Sequence, residues 1–136
     1  MNKKNIMSTL GGLALLLTAT TLLSATPKDD EVMTKEDGMY VVNTTTLGKN
    51  VTGYEGTTPL KIYIKKNKVV KIEALKNQET PKYFARVKKE LLGKWDGKKV
   101  AEAQKMEVDG VTGATFSSDA VKQNVQLGLE YYRTHK

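Results

Sequence analysis

The feature of the sequence that most constrains its fold is an alternation of apolar and polar residues over residues 60–74. A period of two predicts strands that bury one face, and the polar tripeptide 66–68 predicts the turn of a hairpin. The apolar positions are Leu60, Ile62, Ile64, Val70, Ile72 and Ala74. A hairpin of this kind, at about residues 58–76, needs other elements to cover its apolar face.

Two segments carry apolar residues at three- and four-residue spacing, which predicts amphipathic helices. The first, about residues 81–95, follows Thr80-Pro81, a favourable helix start. The second spans about residues 117–133. Their apolar positions are Phe84, Val87, Leu91 and Trp95 in the first and Val121, Val125, Leu129 and Tyr132 in the second. We therefore predict a small α+β domain, in which an antiparallel sheet packs with two helices.

Strands are also expected before the hairpin and between the two helices. Residues 39–42 are predicted as a first strand, and residues 43–51 are ambiguous between strand and loop. Residues 100–108 are predicted as a short strand that leads to Asp109, although their apolar residues do not alternate cleanly.

Residues 1–25 have the features of an export signal. Lys3 and Lys4 precede an uncharged segment rich in leucine and alanine, and Ala25 is a small residue suited to cleavage. A retained membrane anchor is the alternative, because no charged side chain lies between Lys4 and Lys28. Glycines and threonines dilute the apolar segment, so we predict cleavage and export to the periplasm or the cell exterior, with membrane association left open.

The rest of the chain divides into a linker and one domain. Residues 26–37 are polar and contain a proline, which predicts a flexible tether. Residues 38–136 suit a single domain with a modest core, since 39% of the chain is hydrophobic.

Composition excludes several kinds of site. The chain has no cysteine, and therefore no disulfide, thiolate metal ligand or cysteine nucleophile. Its only histidine, His135, is next to the last residue, which argues against a catalytic triad or an imidazole metal site. The net charge is +7, but acidic residues lie among the lysines, so we predict a solvated surface and no nucleic-acid partner.

The segment 109–118 combines glycine, alanine and hydroxylated residues immediately before the second helix. Small residues let backbone N–H groups approach a ligand, and the start of a helix favours an anion. Ser117, Ser118 or Asp119 is expected to cap that helix. The pattern predicts a phosphate cradle, with an ordinary turn as the alternative, and its glycine spacing matches neither common nucleotide-binding fingerprint.

The residues Asp109-Gly110-Val111-Thr112-Gly113-Ala114-Thr115 resemble the flavinylation motif of the FMN-binding domain family. That motif reads Asp, two variable residues, Ser or Thr, Gly, Ala and an acceptor Thr. Gly53-Tyr54-Glu55-Gly56 is similar to the family's Gly-Tyr-x-Gly segment, and residues 77–81 resemble its Glu-Thr-Pro segment. The resemblance covers about residues 38–133. The chain departs from the family after Pro81, where Lys82-Tyr83-Phe84 replaces the usual glycines.

The resemblance implies a covalent flavoprotein. Members of the family include subunits of the Na⁺-pumping NADH:quinone oxidoreductase and of the Rnf complex, and many small exported proteins. A Mg-dependent flavin transferase moves FMN from FAD onto the last threonine of the motif, which is Thr115 here. The implied function is electron transfer between redox partners that the sequence does not identify, so the chain is an enzyme only in a loose sense.

The resemblance also assigns roles within the motif. Gly113 and Ala114 allow the close backbone approach that the linkage needs. Thr112 and Ser117 are candidate hydrogen-bond donors to the phosphate. Asp109 is expected either to bind backbone N–H groups of the turn or to be recognised by the transferase.

The Glu-Thr-Pro segment has two compatible interpretations. Glu79 and Thr80 are expected to contact the flavin, as the resemblance implies, or to cap the first helix. Tyr54 is left open between the flavin and the edge of the sheet. Three alternatives to the exported carrier also stay open: a membrane-anchored flavin subunit of a respiratory complex, a module that binds FMN or phosphate non-covalently, and an envelope protein without a cofactor.

Overall fold

The computed structural model describes residues 31–136, and the predicted export signal and residues 26–30 of the predicted tether lie outside them. Val32 to Lys136 form one compact unit. Four antiparallel strands follow each other in chain order across one sheet. They are β1 (Met33–Glu36), β2 (Met39–Asn43), β3 (Leu60–Lys65) and β4 (Lys68–Ala74). The predicted α+β fold with an antiparallel sheet is therefore confirmed.

The helices follow the sheet in the chain. They are α1 (Pro81–Glu90), a 3₁₀ helix (Leu92–Trp95), α2 (Val100–Ala103) and α3 (Thr115–His135). The α3 helix packs against β2 and β3 and buries Val121, Val125 and Leu129 completely. Within residues 31–136, none of these helices is both long and apolar enough to span a bilayer.

The β3–β4 hairpin confirms the predicted alternation but differs in its details. Its turn has two residues, Lys66 and Asn67, whose φ angles of 53° and 61° belong to the tight turns that match strand twist. A register shift within the pair moves Val69 into the core and leaves Val70 43% exposed. The prediction that Val70 faces the core is therefore wrong, because a bulge reverses the faces beyond it.

Three other segments also differ from the predictions. Residues 33–36 lie in the predicted tether, yet they form β1 and pair with β2, so the domain begins earlier than predicted. Residues 100–108 do not form a strand, because Val100 and Ala103 are buried at helical spacing in α2 and the chain from 105 to 108 is irregular. The predicted first helix ends at Glu90, and its last buried residue, Trp95, belongs to the 3₁₀ helix.

The α3 helix lies close to the sheet at Gly128, which is buried. A Cβ atom at this position would lie 3.1 Å from Thr44 Cγ2 and closer still to Ile62 Cδ1. The missing side chain therefore lets the helix lie close to β3.

Gly128→Val should lower the free energy of unfolding by about 1–3 kcal/mol, because its methyl groups overfill this contact. Urea unfolding at neutral pH measures the change. Gln123→Val is the matched control, since it places the same β-branched residue on the exposed side of α3. Equal effects of the two substitutions would contradict the close packing at Gly128.

Candidate functional site

The segment that resembles the flavinylation motif forms a tight turn before α3. The Ala114 N–H donates to the Val111 carbonyl over 2.9 Å, and Gly113 between them has φ of 85°. Glycine adopts this angle without the steric cost that other residues carry. Val111 and Ala114 are buried, whereas Thr112 and Gly113 are exposed. The core thus anchors both ends of the turn, and its tip lies at the surface.

The α3 helix begins directly at Thr115, with Ala114 in the N-cap position and no side chain as a cap. The predicted caps are wrong, because Ser118 lies within the helix and its hydroxyl accepts the Val111 N–H at 2.9 Å. Uncapped N–H groups at a helix start form an electropositive region. Thr115, the first residue of the helix, is exposed and places its hydroxyl group at this end.

A cavity of about 420 Å³ lies against the start of α3. Thr80 and Tyr83 of the α1 segment line it, together with Tyr54. The residues contributed by the motif segment are Gly113, Ala114, Thr115, Phe116 and Ser117.

Three of the lining residues are exposed aromatic side chains. Tyr54 is 70% exposed, Phe116 66% and Tyr83 48%. The rings of Tyr54 and Phe116 stack with their centroids 6.3 Å apart and their planes at 29°. Large exposed aromatic groups around one concavity are typical of a site for a planar ligand.

The Glu79 carboxylate is only 5% exposed and does not belong to the lining of this cavity. It accepts backbone N–H groups of Tyr54 at 2.9 Å, Glu55 at 2.6 Å and Gly56 at 3.1 Å. It also accepts the Ser117 hydroxyl, so it joins the loop at 54–56 to the first turn of α3. Glu79 therefore supports the cavity through Tyr54 and Ser117, two of its lining residues.

The pKa of Glu79 reflects two opposing effects. Burial raises it, whereas the hydrogen bonds from Ser117 and from the backbone of residues 54–56 lower it. The hydrogen bonds outweigh burial, and the pKa lies below the ordinary value for glutamate. The carboxylate is therefore ionised at neutral pH.

Gly53 is required by this arrangement. Its N–H donates to the Gly56 carbonyl at 2.7 Å, which closes the loop. A Cβ atom at Gly53 would overlap Glu79 Oε1 and lie 3.3 Å from Ser117 Cα. A side chain here would displace the carboxylate that connects the three segments.

The structure separates the predicted site residues into two groups. Thr115, Gly113, Ala114, Thr80 and Ser117 line the cavity. The Ser117 hydroxyl donates to Glu79, however, and is thus not directed to a phosphate as we expected.

The remaining predicted residues lie outside the cavity lining, which does not include Glu79, Thr112 or Asp109. Asp109 and Thr112 are exposed, and the Thr112 carbonyl accepts Arg86 Nη1 at 2.8 Å. Thr80 is the N-cap residue of α1, as predicted, but its side chain makes no capping hydrogen bond.

Sequence reasoning missed Tyr83, Phe116 and Arg86. Tyr83 follows Thr80 by three residues, so helical periodicity places both on one side of α1. Phe116 is out of phase with the buried stripe of α3, and an exposed aromatic residue next to Thr115 was a usable signal. Nothing in the linear pattern indicated Arg86, because its partner Thr112 lies 26 residues away.

Glu79→Gln should lower the free energy of unfolding at pH 7 by roughly 2–4 kcal/mol, because an amide N–H₂ would face backbone donors. Because the pKa of Glu79 is lowered in the folded protein, its carboxylate stabilises the native state above the ordinary glutamate pKa of about 4.3. This stabilisation is lost as the pH falls through the lowered pKa of the folded protein. Urea unfolding between pH 7 and pH 3 measures the free energy of unfolding, and its values for the wild type and Glu79→Gln should converge in acid. Glu55→Gln, in the same loop but exposed, is the control. A constant difference across this range would contradict the assignment.

Comparison with known proteins gives one match. The family model for the FMN-binding domain matches residues 53–130, which is more than half of the 136-residue chain. The matched region contains the Glu79 loop contacts, the cavity and most of α3. Neither a search of curated proteins nor a search of solved structures finds a match. The chain belongs to the FMN-binding domain family.

Proposed function

We propose that this FMN-binding protein carries its FMN as a phosphoester on Thr115 and acts as an electron-transfer carrier outside the cytoplasm. The observation that carries the proposal is the position of Thr115. Its exposed hydroxyl belongs to the first helical residue of α3 and borders a cavity with three exposed aromatic rings.

The cavity fits both ends of FMN. Uncapped N–H groups at the start of α3 suit a phosphate. Tyr54, Tyr83 and Phe116 provide flat apolar surfaces for a ring system, which a phosphate alone would not need. The volume of about 420 Å³ lies within the usual range for cofactor sites. The aromatic lining therefore favours a flavin over a simple anion.

Attachment to Thr115 would be catalysed by a flavin transferase that uses FAD and Mg²⁺. A bond forms between Thr115 Oγ and the FMN phosphorus, the pyrophosphate bond of FAD breaks, AMP leaves, and the hydroxyl proton is lost. Gly113 and Ala114 assist because they leave the turn free of bulky side chains. No oxidation or reduction occurs in this step.

Asp109 is the residue we assign to recognition by the transferase. Its side chain is exposed and makes no hydrogen bond or ion pair within residues 31–136. A carboxylate that stabilised the turn would accept backbone N–H groups, as Glu79 does for the loop at 54–56. A carboxylate without such contacts among residues 31–136 is available to a partner protein.

Electron transfer requires only that the protein hold and orient the cofactor. The isoalloxazine ring supplies the redox chemistry when FMN is bound. The protein contributes the covalent link, the aromatic surroundings and the electrostatics of the α3 start. A covalent link suits an exported protein, because a dissociated cofactor would be lost by dilution.

The export proposal rests on the sequence of residues 1–25. Sequencing the N-terminus of the mature protein distinguishes a free exported carrier from a membrane-anchored subunit. A mature chain that starts near Thr26 supports export, whereas retention of the apolar segment supports the anchored form.

Thr115→Ala should abolish covalent FMN without unfolding the protein, because an exposed hydroxyl contributes little to the core. The protein is coexpressed with a flavin transferase and its intact mass is measured. The wild type should gain the mass of one FMN less one water, mapped to the Thr115 peptide. Thr115→Ser should retain attachment, and Thr46→Ala, at an exposed threonine outside the motif and the cavity, is the control. A modified Thr115→Ala chain would exclude Thr115 as the acceptor.

Tyr83→Ala should raise the flavin fluorescence of the native loaded protein towards that of the denatured protein, because an aromatic ring in contact with a flavin quenches its emission. Tyr131→Ala, at the far end of α3, should leave the fluorescence unchanged. Intact mass verifies that all samples carry equal FMN. Equal native fluorescence in both variants would contradict the proposed ring site.

A further inference from the structure

Arg86 on α1 connects that helix to the turn that precedes the acceptor threonine. Its Nη1 donates to the Thr112 carbonyl over 2.8 Å. The other hydrogen bonds of the turn are local, from Ala114 to Val111 and from Val111 to Ser118. In the described part of the chain, the Arg86 side chain hydrogen bonds the turn from α1, whereas the Ser118 hydroxyl accepts from it within the helix that follows.

Gly113 lies beside the same guanidinium group. Arg86 Nη1 is 3.6 Å from the place where a Cβ atom of Gly113 would be, which is an ordinary contact distance. The guanidinium group therefore lies next to both Thr112 and Gly113 of the motif.

Glu90 orients the guanidinium group. Its carboxylate accepts Arg86 Nε at 3.1 Å, one helical turn further along α1. A guanidinium group is a rigid planar fork, so fixing Nε also fixes the direction of Nη1. A lysine at the same position can donate to the Thr112 carbonyl, but it cannot satisfy both partners in this fixed geometry.

The α1 segment contributes to two parts of the site. Its residues Thr80 and Tyr83 line the cavity together with residues of the motif segment. Arg86 hydrogen bonds the motif turn from the same helix. This contact therefore connects two of the segments that form the cavity.

We propose that Arg86 is a positioning residue for flavin attachment, which holds the turn against α1 and so presents Thr115 at the cavity. This inference rests on the proposed attachment to Thr115. The competing view is that Arg86 and Glu90 are an exposed ion pair of little consequence, as many such pairs are. Both side chains are about half exposed, at 45% and 46%, so global stability does not distinguish the two views.

The first experiment follows amide hydrogen exchange by NMR in the unmodified full-length chain. The amides of Val111 and Ala114 are the reporters, because each is hydrogen bonded only while the turn is closed. Arg86→Gln should raise their exchange rates about three- to ten-fold, as expected for loss of a partly exposed charged hydrogen bond. Exchange in the β3–β4 hairpin should not change.

The second experiment measures the rate at which a flavin transferase attaches FMN in the presence of FAD and Mg²⁺, by intact mass. Arg86→Gln should slow attachment by a similar factor, and Arg86→Lys should restore most of the rate. Lys89→Gln, which removes an exposed positive charge from the same helix, should leave both exchange and attachment unchanged. This control separates the hydrogen bond from a general effect of charge on the enzyme.

Unchanged exchange at Val111 and Ala114 in Arg86→Gln would overturn the inference, as would a uniform rise across the whole domain. Faster exchange with an unchanged attachment rate would also overturn it. If the wild-type chain gains no FMN at all, attachment to Thr115 is wrong, and the exchange data alone then decide whether Arg86 holds the turn.

Discussion

The buried carboxylate of Glu79 is the interaction on which the site depends. It accepts hydrogen bonds from the backbone N–H groups of the loop at 54–56 and from the Ser117 hydroxyl of α3. Glu79 itself directly precedes Thr80, the N-cap of α1. Three segments far apart in the sequence therefore meet at one ionised group. Removing one partner from such a network leaves the others unsatisfied in a buried environment, which costs more than the loss of a single exposed bond.

The regular part of the fold was predictable because it is periodic. The alternation before Lys66 and the helical stripe of α3 each identify an element from local pattern alone. The bulge at Val70 was not predictable, because register depends on the partner strand. Strand β1 was missed because it is a short edge strand of mostly polar residues, whose hydrogen bonds to β2 define it.

The part of the candidate site that lies in one continuous stretch of sequence was predictable. The part that is assembled from distant segments by folding was not. The linear pattern around Thr115 identified a turn that borders the cavity, and the structure brings Thr80 to the same cavity. The supporting role of Glu79 could not be predicted without knowing which side of its segment faces the core. The contribution of Tyr83 depends on how α1 packs against α3, and no local pattern encodes that packing.

The start of α3 is less stable than a well-capped helix start, and this agrees with the proposed flavin attachment. An alanine at the N-cap is less favourable than serine, aspartate or asparagine by about 1 kcal/mol. Two serines lie within four residues of the cap, yet Ser117 binds Glu79 and Ser118 binds the Val111 N–H. Both hydroxyl groups thus stabilise the surroundings of the turn and leave the first N–H groups of the helix without a side-chain acceptor. A side-chain cap would occupy the donors that an anion on Thr115 needs, so the unfavourable cap agrees with the flavin site proposed here.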